Sequence, residues 1–541
     1  MVMSSGIVNP ILKGFNPDPS IVRVGDDYYI ATSTFEWFPG VQIHHSRDLK
    51  NWSLIAHPLV RRNQLDMLGN PDSGGVWAPC LSYHDGTFYL IYTDVKSHMG
   101  PFKDTHNYLV TATDILGPWS EPIYLNSSGF DPSLFHDEDG TKWLLNMVWD
   151  HRKGKNQFGG IVVQQYSEEQ CKLQGPIHNI FRGTQLGLTE GPHLYKANGY
   201  YYLITAEGGT RYGHAVTVAR SKELFGPYEA DPSGPLLTSA DLPEAELQRA
   251  GHGCLVETQH GELYLAHLCG RPMRPSMCCT LGRETAIQKC EWKEDGWLSL
   301  VTGQHEPQVR VEAPALQEHL FAPEPETEHF DHEEISIHFN SLREPITEDW
   351  ASLRERPGYL RLKGRESLYS HHRQSLVARR QQAFYAEVET VVEFEPESYQ
   401  QLAGLIYYYN TKNYYYLWIS WDEELGKCLG LMSSDRGIYD EPLERPICIA
   451  GWERCYMKMV IRREVFQYYY SRDGVNWLPI GREMDATKLS DENAELIKDG
   501  VALDQGFTGA FIGMCVQDLS GRRLHADFDY FTYREGAMKV N

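Results

Sequence analysis

Three acids, Asp18, Asp131 and Glu190, stand at or beside one slot of a cassette that recurs through the first half of the chain. The copies read Asn16-Pro17-Asp18-Pro19-Ser20, Trp77-Ala78-Pro79-Cys80, Phe130-Asp131-Pro132-Ser133, Glu190-Gly191-Pro192-His193 and Gly251-His252-Gly253. A lone Asp-Pro-Ser is ordinarily a turn, with Asp capping backbone amides and Pro fixing φ. Three acids at related slots of a repeat point instead to carboxylates aimed at one axis. Hydrolysis of a glycosidic bond asks for such a set. It needs a protonated acid for the leaving oxygen and a second carboxylate facing it, and a third nearby would raise the acid by like-charge repulsion. Glu190 precedes its proline by one residue more than Asp18 and Asp131 do, which suits a longer side chain reaching in as proton donor.

Other residues could serve the same site. His252 occupies the fifth copy and is suited to a sugar hydroxyl, a water or a hydrated metal ion. No second His or Cys at ligand spacing supports a tight transition-metal site. Arg283, in Leu281-Gly282-Arg283-Glu284-Thr285, offers a rigid fork to a carboxylate or to sugar hydroxyls; a structural ion pair is the competing reading. Phe35, Trp37 and Trp77 lie in or near the cassette loops, where they either stack on a sugar face or fill the core. No GxSxG, Walker A or HExxH pattern is present.

The elements that must position these residues are short strands. Copies lie about 60, 53, 60 and 60 residues apart, slightly above the usual blade period. Each leads into a hairpin with turn signals such as Asp85-Gly86, Asn198-Gly199 and His260-Gly261. Five units predict a five-bladed β-propeller over residues 1–315. A second recurring element, Ser46-Arg47-Asp48-Leu49 before Asn51-Trp52 and its equivalents ending at Trp119 and Tyr228, reads as an outer strand whose aromatic packs on the next blade. Residues 316–334 are acidic, with two prolines, and read as a linker. Alternating and aromatic-rich segments return over 335–541 and suit a two-sheet β-sandwich. The fold class is all-β.

Composition narrows the partners. At 541 residues the chain exceeds one ordinary core. A net charge of −23 argues against nucleic acid or an anionic membrane, and is compatible with a neutral sugar. Eleven cysteines without CxxC spacing, and no leader pattern in Met1–Leu12, lead us to expect a cytoplasmic protein.

Taken together, the motifs resemble glycoside hydrolase family 43. They are Asn9-Pro10-Ile11-Leu12 through Ser20, Thr32-Ser33-Thr34-Phe35-Glu36-Trp37-Phe38-Pro39-Gly40, Trp77-Ala78-Pro79, Phe130-Asp131-Pro132-Ser133 and Thr189-Glu190-Gly191-Pro192-His193. Phe339-Asn340, Trp350 and Gly506-Phe507-Thr508-Gly509-Ala510 extend the likeness to the long β-xylosidase subgroup with a C-terminal sandwich. The resemblance implies a propeller fused to a concanavalin-like sandwich, and hydrolysis with inversion. It implies Asp18 as general base, Glu190 as general acid and Asp131 as the carboxylate that tunes that acid. Arg283 and His252 match positions beneath the sugar, Phe35 and Trp77 match pocket walls, and Phe507 matches an aromatic lent by the sandwich. The implied substrate is a short xylo-oligosaccharide, cut from its non-reducing end to release xylose, with side activity on α-L-arabinofuranosides. A mainly arabinofuranoside-cleaving enzyme and a non-catalytic sugar-binding protein are the alternatives. No cofactor is required, a calcium ion near His252 stays open, and a homodimer or homotetramer is implied.

Overall fold

The computed structural model describes residues 6–498 and 501–536. Met1–Ser5, the start of the stretch inspected for a leader, lie outside the described residues. Five four-stranded antiparallel blades follow one another in sequence, the fourth carrying one extra short strand. Their inner strands are Ser20–Val24, Gly75–His84, Gly129–His136, Glu190–Ala197 and Gln248–Glu257. These touch in ring order, and the first also touches the last, so the ring is closed. Ile7–Val8 pairs with Arg310–Val311 to tie the start of the chain to the end of the propeller. The hairpin turns behave as their residues demand: Asp85-Gly86 and Asn198-Gly199 each place two consecutive residues at positive φ, as a tight two-residue loop requires.

The recurring aromatic element is a turn rather than an outer strand. It fills the gap between third and fourth strands, as between Gln42–Ser46 and Ser53–Ala56. Its aromatic ties back to the turn: Trp52 Nε1 donates to Leu49 O, Trp119 Nε1 to Ile115 O and the Tyr228 hydroxyl to Leu224 O. The ring shields the blade junction while its polar head satisfies a turn carbonyl.

Two sheets make the second unit. One runs Ala351–Ser352, Leu360–Lys363, His525–Glu535, Tyr385–Glu393, Cys455–Arg462, Val465–Ser471, Leu478–Asp485. Thr327–Glu328 pairs with His525–Glu535 and Phe330 is buried in this core, so the sandwich begins inside the stretch read as a linker. The other sheet runs from Ile438–Asp440 through Gln401–Asn410 and Phe511–Asp518 to Ser375–Arg380 and Asn340–Leu342. Its last strand is Trp37–Phe38, supplied by the first blade's sequence.

This second sheet is buried on both faces. Tyr407 and Tyr409 point into the sandwich core, whereas Tyr408 packs with Phe15, Phe35, Trp37 and Trp77 of the propeller. Aromatic runs such as Tyr407-Tyr408-Tyr409 follow from that, because a strand covered on both sides has no polar face to alternate with. Trp37 stacks on Phe511 at 3.7 Å between centroids, which locks the two units together. Among the described residues no helix is long and apolar enough to cross a membrane.

Candidate active site

The cassette slot is a backbone device. Asp18, Ala78, Asp131, Gly191 and His252 have φ of 55°, 28°, 55°, 57° and 47°, one left-handed residue per blade. The strand pairing slips at the slot in four of the five blades, so the inner strand bulges and turns its side chain toward the axis. Non-glycine residues held there cost on the order of 1–3 kcal/mol each, strain that concentrates at functional sites. In the fourth blade the slot is glycine, because a Cβ on Gly191 would meet the His252 ring at 3.0 Å. The acid of that blade is therefore the preceding residue, Glu190. The offset seen in the sequence has a steric cause.

Eight of the nine residues singled out from the sequence line one pocket of about 220 Å³: Asp18, Phe35, Trp77, Asp131, Glu190, His252, Arg283 and Phe507. Trp37 does not reach it and serves the domain contact instead.

Asp18 is built to stay ionised. Ser33 Oγ donates to its Oδ2 at 2.7 Å, Arg283 Nη1 lies 3.4 Å from Oδ1, and His252 Nδ1 lies 3.8 Å from the same oxygen. Burial by itself pushes this carboxyl up, but Arg283, His252 and Ser33 outweigh it and hold it below the usual range. Glu190 is the opposite case. Burial first, then the Asp18 charge, push it up to about 8 against the pull of Arg283 and Lys103. Asp131 is also pushed well up, by burial and then by its carboxylate neighbours. Of this coupled pair, Asp131 Oδ2 accepts the Gly191 N–H at 3.1 Å, which favours its anion. The Glu190 carboxyl accepts no hydrogen bond among the described residues, so hydrogen bonding within the pair favours the proton on Glu190.

Arg283 pairs with a carboxylate, Asp18, and lines the pocket. Beside Asp18, it donates from Nη1 to Thr210 Oγ1 at 3.0 Å and from Nη2 to Phe507 O at 3.1 Å. Its guanidinium lies beside both the Phe35 and Phe507 rings, 5.1 and 5.2 Å from their centroids. Phe507 completes the wall with Phe35 and Trp77, each at 5.9 Å between centroids. Ser73 fixes that wall: its carbonyl accepts from Trp77 Nε1, its hydroxyl donates to Gln505 O and accepts the Phe507 N–H.

Sequence reasoning missed several pocket groups. Ser33 lay within a quoted motif but had no role. Lys103, held over the Trp149 ring at 4.3 Å, carried no local signal at all. His214 lines the pocket with a buried Nε2 that has no partner, while its Nδ1 faces Arg249 O at 3.1 Å. Neutral by burial, it offers that nitrogen to a sugar hydroxyl.

A calcium ion takes six to eight oxygen ligands. Among the described residues no group of three His, Cys, Asp or Glu converges, and the carboxylate nearest His252 is engaged by Arg283 and Ser33. An ion at His252 would therefore keep most of its oxygen ligands as water.

Comparison with known proteins agrees with this geometry. The sequence model of glycosyl hydrolases family 43 matches residues 7–298, and that of the beta xylosidase C-terminal concanavalin A-like domain matches 327–534. The crystal structure of xylan beta-1,4-xylosidase from Bacillus halodurans C-125 is 60% identical with a TM-score of 0.95, covering 98% of this chain and 100% of that one. Xylosidase/arabinosidase 43B of Humicola insolens is 52% identical over 97% of both chains. A xylan 1,3-beta-xylosidase of a Vibrio species is 49% identical, covering 98% of this chain and all of the relative. Five blades, a left-handed acid slot and a sandwich that completes the pocket coincide with these matches over nearly the whole length: the chain belongs to glycosyl hydrolase family 43.

Proposed function

We propose that the protein is an exo-acting β-1,4-xylosidase that removes xylose from the non-reducing ends of xylobiose and short xylo-oligosaccharides, with inversion. The observation that carries this reading is the opposite surroundings of two acids in one small pocket: Ser33, Arg283 and His252 face Asp18 and favour its anion, whereas Glu190 accepts no hydrogen bond among the described residues and feels the Asp18 charge, which favours its neutral form. Asp18 takes a proton from water as that water attacks the anomeric carbon. Glu190 passes its proton to the glycosidic oxygen of the leaving sugar. Asp131, coupled to Glu190, is assigned to tune that acid, and its charge favours the positive character that develops on the sugar ring. Protein groups and water suffice for every step.

Phe507 and Gln505 close the pocket from the sandwich side, which supports cleavage at a chain end rather than in mid-chain. Side activity on α-L-arabinofuranosides is part of the proposal and agrees with the name of the Humicola relative. The Bacillus structure's name supports the 1,4 linkage over the 1,3 linkage of the Vibrio relative. All eleven cysteines are unpaired, which supports a reducing, cytoplasmic setting. A homodimer or homotetramer, carried by the family resemblance, is read by light scattering.

Proton NMR of xylobiose hydrolysis tests the mechanism. α-Xylose is expected first, before mutarotation. Early β-xylose overturns inversion and the base assignment, and faster turnover of 1,3-linked xylobiose overturns the linkage.

A further inference from the structure

A second cavity, sharing no residue with the catalytic pocket, opens where the start of the propeller, the stretch 316–334 and the sandwich meet. It encloses about 310 Å³, with Asn16, Gln42 and His44 on one side and Arg379 and Arg380 on the other. Arg380 is 5% exposed and forms no ion pair with any described residue. Its Nε donates to Phe15 O at 2.8 Å and its Nη1 to Asn340 Oδ1 at 2.6 Å, both neutral acceptors. Its Nη2 is buried without a partner, as are Arg379 Nε and His44 Nδ1. Three side chains that line one cavity, each more than nine-tenths buried, thus carry polar nitrogens that have no partner and are sealed from solvent.

The carboxylates at this cavity are spoken for. Glu324 lies 3.5 Å from Arg379 and 3.6 Å from His338, and Glu535 lies 3.7 Å from Lys13. Arg380 is left with no counter-charge, which is strongly unfavourable for a buried guanidinium. Burial alone pushes it down to about 9, with no neighbouring acid opposing. A chain of net charge −23 does not gather anions indiscriminately, so a cationic cavity within it is a local construction.

We infer that this interdomain cavity binds a small oxyanion, held by Arg380 and Arg379 with His44 completing its surroundings. Its walls come from both units, so occupancy stabilises their docking by mass action.

Calorimetric titration of inorganic phosphate into the full chain, at ionic strength held constant with chloride, is expected to show one saturable site and a matching rise in thermal midpoint. Kosmotropic salt effects, which any protein shows, do not saturate in such a titration. Parallel titrations with sulfate and acetate separate a tetrahedral oxyanion from a carboxylate; saturable binding of either kind upholds the site. Arg380→Gln and Arg379→Gln are each expected to weaken binding at least tenfold. His44→Gln, which breaks no hydrogen bond seen here, decides the matter if an arginine variant fails to fold. The inference is overturned if none of the three anions binds saturably to the wild type. Affinity unchanged in every variant that folds overturns it equally.

Discussion

Ser33 Oγ donates to Asp18 Oδ2 at 2.7 Å while accepting the Ala78 N–H at 2.8 Å. The amide occupies a lone pair of the hydroxyl, so its proton is left aimed at the carboxylate. One side chain joins the first blade's acid to the second blade's slot. Ser33→Ala should raise the Asp18 pKa and move the acidic limb of kcat/KM to higher pH. It also strands a buried Ala78 N–H, at a cost of about 1–3 kcal/mol in denaturant unfolding. An unchanged acidic limb would remove Ser33 from the base's support.

Glu190→Gln removes the proton donor and keeps the shape. Turnover of xylobiose should fall about 10²–10⁴-fold. An aryl xyloside whose leaving group needs no protonation should lose far less. Asp18→Asn should depress both substrates alike, because water activation is required whatever leaves. Equal losses for both substrates in Glu190→Gln would show that it is not the acid.

The pH dependence follows from the two carboxyls. Activity needs Asp18 ionised, so it falls as pH drops through that lowered pKa; it needs Glu190 protonated, so it falls as pH rises past about 8. Asp131→Asn keeps an acceptor for the Gly191 N–H but removes a negative charge. The alkaline limb should then move down by about one pH unit or more. A limb that stays in place separates Asp131 from the tuning of Glu190.

Gly191→Ala forces a Cβ to 3.0 Å from the His252 ring at a φ of +57°. Roughly 1–2 kcal/mol of destabilisation is expected from the backbone alone, more from the clash. Adding His252→Ala should recover the clash and leave the backbone cost, so unfolding of the two singles and the double measures the coupling. Strictly additive effects would mean that the two residues do not press on each other.

Dialysis against a strong chelator should leave kcat/KM unchanged, since the groups at His252 form no cage for an ion. Loss of activity restored by calcium alone would put an ion into the working enzyme.

Much of the architecture was legible in the residues because it is local. Hairpin turns such as Asn198-Gly199 act over a few residues, and their repetition five times over implies a closed ring. The acid slot was legible for the same reason: Asp-Pro-Ser recurs because the left-handed slot recurs, with φ 55° at both Asp18 and Asp131. The resemblance to family 43 rested on these same motifs and supplied the sandwich's part in the pocket.

What the tertiary structure decided depends on contacts distant in sequence. Gly191 stands in the slot because His252, a blade away, fills the space a side chain would need. Trp37–Phe38 leaves its own blade for the sandwich sheet because its partner strand is Asn340–Leu342, some 300 residues on. The sandwich starts at Thr327–Glu328, since that segment finds an edge on His525–Glu535. Spacing singles out Glu190 as the proton donor, but how Asp18 differs from Asp131 lies beyond it. Asp18 and Asp131 share the sequence Asp-Pro-Ser, yet one faces Arg283, His252 and Ser33 while the other faces Glu190. The sequence determined the acids and the backbone that aims them; only the closed ring set their neighbours, and electrostatic neighbours set protonation.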